Sequence, residues 1–180
     1  MRPRREPVMF RRLAEVQRVP DGETFEVDPG TLAEITQALG SHFTLVIHGQ
    51  LARLAGQDAD AIGKPVPAPE AAAANDDADL STRIWRTLAT CYDPEIPVDI
   101  VELGLVYACY LAPMQEGGTR VAIQMTLTAP GCGMGDLLAN EVADKVLALD
   151  GVGEVKVDMV FDPPWDRSRM SEAAQLALGL

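Results

Sequence analysis

Thr126-Leu127-Thr128-Ala129-Pro130-Gly131-Cys132-Gly133-Met134-Gly135-Asp136 separates two runs of different period. Before it, Val121, Ile123, Met125 and Leu127 alternate with Ala122, Gln124, Thr126 and Thr128. Strict alternation of this kind predicts a half-buried strand over 121–128. After it, Leu138, Val142, Val146 and Leu149 fall on one face of a helix. Cys132 is therefore expected where a strand ends and a helix begins. Amides of a first helical turn lack intrahelical acceptors, and the helix dipole adds partial positive charge there. Both favour a thiolate, the form that attacks electrophiles or binds metal. Gly131, Gly133 and Gly135 leave the thiol without bulky neighbours, so a cluster, a metal or another backbone can come close. The same pattern also suits an ordinary glycine-rich turn around an inert thiol, and both readings stand at this point.

Working outward, Leu80, Ile84, Leu88 and Cys91 share a helical face, with Asp79 or Ser81 as N-cap. Pro94 and Pro97 stop that helix and make Tyr92–Ile100 a rigid acidic loop carrying Asp93 and Glu95. Leu105, Tyr107, Cys109 and Leu111 alternate with Val106, Ala108 and Tyr110, all apolar or aromatic, which predicts a strand buried on both faces or nearly so. Gln115–Thr119, with Gly117-Gly118, turns that strand into the next. Beyond the second helix, Val155, Val157, Met159 and Phe161 alternate with Lys156 and Asp158 as a third strand. Pro163-Pro164 ends it, and Met170–Leu178 is long enough for a short helix. The order α-β-β-α-β gives an α+β domain, with a small mixed sheet and helices on one of its faces.

Residues 1–62 read as a small β-rich domain. Phe43–Ile47 is rich in β-branched and aromatic residues, and His48-Gly49 turns it into Gln50–Leu54. Thr24–Val27 alternates and ends at Asp28-Pro29-Gly30. Leu32, Ile35 and Leu39 fit a helix, yet Gly30 and Gly40 bracket a strand-length segment, and the strand is preferred. His42 and His48 read as structural or exposed, and Asp58-Ala59-Asp60 as turn chemistry. Residues 63–79, with Pro65, Pro67, Pro69 and then an alanine run, have no apolar period and read as a linker. That leaves 80–180 as the second domain.

The 180 residues, 47% hydrophobic and 23% charged, have a globular profile. No apolar run reaches the ~20 residues of a membrane span, and no apolar segment follows the basic start, so the expected compartment is the cytoplasm. Residues 1–75 hold eight basic and ten acidic side chains, and 76–180 hold seven and seventeen, so most of the net −12 lies in the second part. Such a body does not suit the phosphate backbone of nucleic acid. Three cysteines without a CxxC argue against a disulfide framework and against a self-contained zinc site.

Cys109, beside Leu105 and Leu111, is expected in the core, and Cys91 buried or nearly so. That singles out Cys132. A cluster normally takes four thiolates, or thiolates with histidines, so one cysteine per chain must borrow ligands from a second copy, a client or a small thiol. Labile binding of that kind suits handing a cluster on.

Asp93–Ile100, Leu103-Gly104-Leu105-Val106-Tyr107, Met125–Asp136 and Asp162-Pro163-Pro164-Trp165 are four blocks that follow one another in order. Together they resemble the small domain of SufT-type iron–sulfur maturation factors. The same domain is similar to the eukaryotic cytosolic iron–sulfur targeting subunit and to a component of bacterial phenylacetate degradation. Ile35–Gly40 and Asp58–Gly63 resemble the additional N-terminal domain of SufT-type proteins, which extends the similarity over nearly the whole chain. The resemblance implies a non-enzymatic role in assembling or delivering iron–sulfur clusters. Cys132 then matches the family's motif cysteine, a ligand for a transient cluster, and Asp93 and Glu95 its acidic loop. Gly131, Gly133, Gly135, Asp136 and Trp165 complete the expected binding set. Implied partners are Suf assembly proteins and apo clients; a cluster shared between two chains would add a homo-oligomer.

Two other functions fit the residues. One is an adapter that binds clients through the acidic loop, Trp165 and the tail from Arg167 to Leu180; Trp165 reads equally as a partner anchor or as a side chain closing the edge of the core. The other is a thiol enzyme with Cys132 as nucleophile, for which the only histidines, His42 and His48, lie across the linker.

Overall fold

A computed structural model describes residues 5–67, 78–93, 95–130 and 133–180, so the expected linker lies largely outside the described residues. The chain divides into two units, Met1–Glu70 with Pro94–Pro97, and Ala71–Asp93 with Val98–Leu180.

The first unit is a six-stranded antiparallel sheet of β1 (Glu6–Met9), β2 (Ala14–Arg18), β3 (Thr24–Val27), β4 (Leu32–Leu39), β5 (His42–Ile47) and β6 (Gln50–Ala55), ordered β1-β4-β5-β6-β2-β3. Phe10, Leu45 and Leu54 are fully buried at its centre, among Val16, Ile35 and Ile47. Segment 32–39 is a strand, and its helix-like spacing marks no common face: Ile35 is buried whereas Leu32 and Leu39 are exposed. The β4–β5 register shifts between Ile35 and Gln37, which marks a bulge at Thr36. Thr36 Oγ1 donates to the Thr44 carbonyl at 3.2 Å. His48 and Gly49 both adopt left-handed backbone, φ 51° and 81°, as a two-residue hairpin turn requires. Asp58 and Asp60 lie in a 3-10 helix, Gly56–Ile62, and both accept from the Arg12 guanidinium, at 2.8 Å and 2.6 Å. That contact holds the Asp60 carboxyl below the usual carboxylate range.

The second unit begins with α1 (Leu80–Leu88), whose N-cap is Asp79, accepting from the Thr82 amide at 3.1 Å. Ile84 and Leu88 form its fully buried stripe. Cys91 is also fully buried but stands three residues past the helix end, in the turn leading to the acidic loop. A mixed sheet follows. β7 (Val106–Pro113) pairs antiparallel with β8 (Thr119–Met125), which pairs parallel with β9 (Val152–Met159). The parallel pair is possible because α2 (Gly135–Leu147) carries the chain back between β8 and β9. Register places Val121 beside Val155, Ile123 beside Val157 and Met125 beside Met159, the apolar face against which α2 packs with Leu138, Val142 and Val146. The other face carries Arg120–Glu154, Ala122–Lys156 and Gln124–Asp158. The α+β layering with helices on one face is therefore what the alternation required. The chain ends in α3 (Glu172–Leu178), N-capped by Ser171.

Three expectations are corrected here. β7 is not buried on both faces: it is an edge strand, half-buried at first and exposed from Tyr110 to Pro113. Cys109 accordingly lies half-buried and not in the core, and burial pushes its thiol pKa up. The register shift between Val106 and Ala108 makes Tyr107 an extra residue, so Val106 and Cys109 oppose the buried Met125 and Ile123 while Tyr107 leaves the alternation. Lastly, β8 stops at Met125 and does not run to Thr128. At Thr126 the backbone turns to another partner: its amide donates to the Leu105 carbonyl at 2.9 Å.

Candidate functional site

The blocks singled out by sequence converge on Leu103–Tyr107. Asp99 opens this segment by accepting from the Val101 and Glu102 amides, both at 3.0 Å, and the Leu103 amide donates to the Asp99 carbonyl at 3.0 Å. The Asp99 carboxyl is about half-buried, and loss of solvent raises its pKa despite those two amides. Leu105 is fully buried; its amide donates to Ile100, and its carbonyl accepts from Thr126, the first residue of the cysteine-bearing turn. On the other side, the Leu103 carbonyl accepts from Trp165 Nε1 at 2.8 Å, and the Tyr107 hydroxyl donates to the Pro163 carbonyl at 2.9 Å. The Arg169 guanidinium stacks 4.4 Å from the Tyr107 ring centre. Gly104 has φ 70°, and a Cβ there would meet the Arg169 carbonyl oxygen at 2.1 Å, so only glycine lets the two backbones approach. The Ser171 amide donates to the Glu102 carbonyl at 2.8 Å, while its hydroxyl bonds to the Glu102 carboxylate.

The cysteine turn is anchored at both ends. Leu127 is buried at one end and Met134 at the other. Gly135, the first residue of α2, is buried against Leu127: a Cβ on it would lie 2.8 Å from Leu127 Cδ1. The cap residue Met134 offers no side-chain hydrogen bond to the first turn of α2. Gly131 and Cys132 themselves lie outside the described residues. Gly133 is exposed, as is Asp136, whose carboxylate sits in the first turn of α2, where the dipole favours negative charge.

The two acidic-loop residues have different surroundings. Asp93 is buried, 5% exposed, with its amide donating to the Val98 carbonyl, and Glu95 is exposed. Trp165 is half-buried with its N–H directed inward to Leu103. No group of three or more His, Cys, Asp or Glu able to hold a metal occurs among the described residues. No helix there is long and apolar enough to cross a membrane. In the first unit, His42 Nδ1 lies 2.8 Å from Arg53 Nη2. A guanidinium can only donate, so this nitrogen is the acceptor, which is a structural use of the histidine.

Glu102 was missed by the sequence reading, and Gly104, Arg169 and Ser171 entered it only within longer segments, with no role of their own. Gly104, a glycine inside the apolar run Leu103–Tyr107, was a legible sign of close backbone approach. Arg169 and Ser171 gave no comparable sign, because their partners lie more than sixty residues away.

A family model described as iron–sulfur cluster assembly protein matches residues 81–157. A Fe–S protein maturation auxiliary factor of Porphyromonas gingivalis is 45% identical over 96 residues, 53% of this chain and 88% of that protein. The chain belongs to the iron–sulfur cluster assembly protein family. Within that family, the maturation auxiliary factor YitW of Bacillus subtilis is 41% identical over 101 residues, covering 56% of this chain and 95% of its own length. The auxiliary factor SufT of Staphylococcus aureus is 39% identical over 88 residues, covering 49% and 96%. A crystal structure of a domain of unknown function from Bacillus anthracis covers 56% of this chain and 92% of that chain at 37% identity, with a TM-score of 0.48. The three relatives align with about half of this chain, so a likeness to SufT over nearly its whole length is not what these matches span; the family model's match begins at residue 81.

Proposed function

We propose that this family member assists the maturation of iron–sulfur proteins by holding a cluster transiently at Cys132 and passing it to apo clients. The supporting observation is the placement of the turn. It leaves β8, is tied to the Leu103–Tyr107 segment through Thr126, and opens α2 at Met134-Gly135, so the cysteine lies within a few residues of a helix N-terminus. A thiolate held near such an end gains from the helix dipole. The cluster is cargo. One cysteine supplies at most one of its usual four thiolates, so the remaining ligands come from a second copy, a client or a small thiol, which keeps the cluster exchangeable. Suf assembly proteins and apo iron–sulfur proteins are the partners proposed for this exchange, in the cytoplasm and without catalysis by the chain itself.

The adapter reading differs in having no cluster at all. Its proposed anchor, Trp165, has its N–H bonded to the Leu103 carbonyl, which favours a structural use of the indole over a docking one. Anaerobic reconstitution with iron and sulfide, comparing wild type with Cys132→Ala by absorption and iron content, tests the choice. A cluster formed in wild type and lost in the variant is the expected result. No cluster in either overturns the carrier reading and leaves the adapter.

A further inference from the structure

Among the described residues the two sheets have four edge strands, and three of them are guarded in the usual way. β1 carries Glu6 and Pro7, β3 carries Glu26, and β9 carries Glu154, Lys156 and Asp158. Charges and prolines there discourage another chain from pairing with the open backbone. β7 is the exception: Val106-Tyr107-Ala108-Cys109-Tyr110-Leu111-Ala112-Pro113 has no charged residue, and Tyr110 is 60% exposed. What its outer side offers follows from the hairpin. The Met114 amide donates to the Gly118 carbonyl at 3.0 Å, so bonded pairs recur at every second position, Ala112–Arg120, Tyr110–Ala122 and Ala108–Gln124. Between them, Cys109, Leu111 and Pro113 turn their backbone groups away from β8. The Thr119 amide, opposite Pro113, accordingly donates to the Gly151 carbonyl on the far side of β8, at 2.8 Å. Pro113 thus stands where a missing N–H leaves the hairpin intact. Between it and the bulge at Tyr107, Cys109 and Leu111 each present an outward donor and an outward acceptor.

We propose that β7 is a homodimer interface, joining antiparallel to β7 of a second copy about a two-fold axis at Tyr110. In this register Cys109 of each copy faces Leu111 of the other, and the two pairs use every outward donor and acceptor of both residues. The ends fit as well. Tyr107, the bulge residue, lies three positions before Tyr110, and Pro113 lies three after it. The two interruptions therefore fall opposite each other and end the ladder on both sides. An axis at Leu111 would set Cys109 against Pro113, which lacks the N–H, and an axis at Cys109 would set Leu111 against the bulge. This symmetry selects a second copy over an extended segment of another protein, which has no reason to match it. Side chains agree. Tyr110 meets its own counterpart on the open face, while Leu111, beside the buried Val121, covers Cys109 of the other copy. Copies with a net charge of −12 repel each other, and an uncharged strand is where that repulsion opposes contact least. One short strand pair is a small interface, so the dimer is reversible. The pairing uses no residue of the cysteine turn and stands apart from the cluster reading above.

The test measures the mass of the full chain in solution by light scattering, under reducing conditions, through a series from micromolar to millimolar. Wild type is expected to rise to twice the mass of the chain. Tyr110→Lys places two like charges across the axis on an exposed face, and should stay monomeric with an unchanged circular dichroism spectrum. Leu111→Pro removes an outward N–H that the hairpin does not use, and should be monomeric as well. Wild type that stays monomeric throughout overturns the proposal and leaves the edge to an extended segment of another protein. A Tyr110→Lys variant that still doubles its mass overturns it too, by placing the interface elsewhere. Register is read separately. Across the axis, position 110 faces itself in a non-hydrogen-bonded pair with Cα atoms about 4.5 Å apart, within disulfide range. Position 112 faces 108 of the other copy and lies about 14 Å from its own counterpart. Tyr110→Cys should therefore oxidise to a disulfide-linked dimer, with the link assigned by peptide mass spectrometry, and Ala112→Cys should not. Both positions are exposed on the same face, so exposure alone does not separate them. Equal cross-linking of the two, or of neither, rejects this register and with it the argument for a second copy.

Discussion

Trp165 Nε1 donates to the carbonyl of Leu103 across sixty-two residues of sequence, at 2.8 Å. Leu103 is fully buried, so its carbonyl relies on this indole in place of water. The bond joins the last of the four sequence blocks to the second, and two residues on, Leu105 joins the second to the third through Thr126. Trp165→Phe, which keeps the ring and removes the N–H, is expected to cost about 1 kcal/mol through the orphaned carbonyl. Trp165→Ala adds lost packing and should cost about 2 kcal/mol or more. Denaturant titrations followed by circular dichroism measure both; a Phe variant as stable as wild type would show that the bond contributes nothing.

Gly104→Ala should be among the most damaging small changes in the second unit. Its φ of 70° disfavours any side chain, and the new Cβ would overlap the Arg169 carbonyl oxygen. Strain and displacement of the C-terminal segment together suggest about 2–3 kcal/mol. A calorimetric scan should show the transition of that unit lowered by about 10 °C. The Tyr107–Arg169 stack should loosen at the same time.

Asp99 makes a prediction with a sign. Desolvation raises its folded-state pKa, so the native state holds this proton more tightly than the unfolded chain. Its contribution to stability is therefore fully present below the unfolded value, about 3.9, and is lost as pH rises through the folded value. Asp99→Asn keeps an oxygen acceptor for the Val101 and Glu102 amides without the charge. Relative to this variant, wild type should lose stability as pH rises from about 4, and the gap should level off once Asp99 is ionised. Stability curves for both proteins between pH 4 and 7 give the answer; a gap that moves the other way would contradict desolvation as the dominant cause.

The described cysteines should be separable by reactivity. Cys91 is fully buried and should stay unlabelled by iodoacetamide until the unit unfolds. Cys109 is half-buried with a raised pKa, so at pH 7.5 its thiolate fraction lies below the roughly one-tenth of an ordinary thiol near 8.5. It should react more slowly than free cysteine, and its rate should still be climbing at pH 9. Rapid labelling of Cys109 at neutral pH would mean that the β7 edge opens readily.

Much of this was legible in the chain. Alternation at Val121–Met125 and Val155–Met159 and the stripe Leu138–Val142–Val146 determined the layers, because the side chains that must leave water fix which face each element buries. The Asp79 cap and the His48-Gly49 turn were local events, decided by a residue's own hydrogen bonding or backbone freedom. The family was legible too, because its blocks are contiguous in sequence. Tertiary structure alone decided the rest. The bulge at Tyr107 broke the alternation, and the edge position of β7 left Cys109 half-buried, since an edge strand lacks a second neighbour and period alone does not reveal how many neighbours a strand has. The bonds from Trp165 to Leu103 and from Thr126 to Leu105, and the packing of Gly135 on Leu127, join groups whose pairing depends on where the sheet and α2 bring the chain back. Donors, acceptors and a missing Cβ can be seen in a sequence; their partners depend on distances that only folding sets.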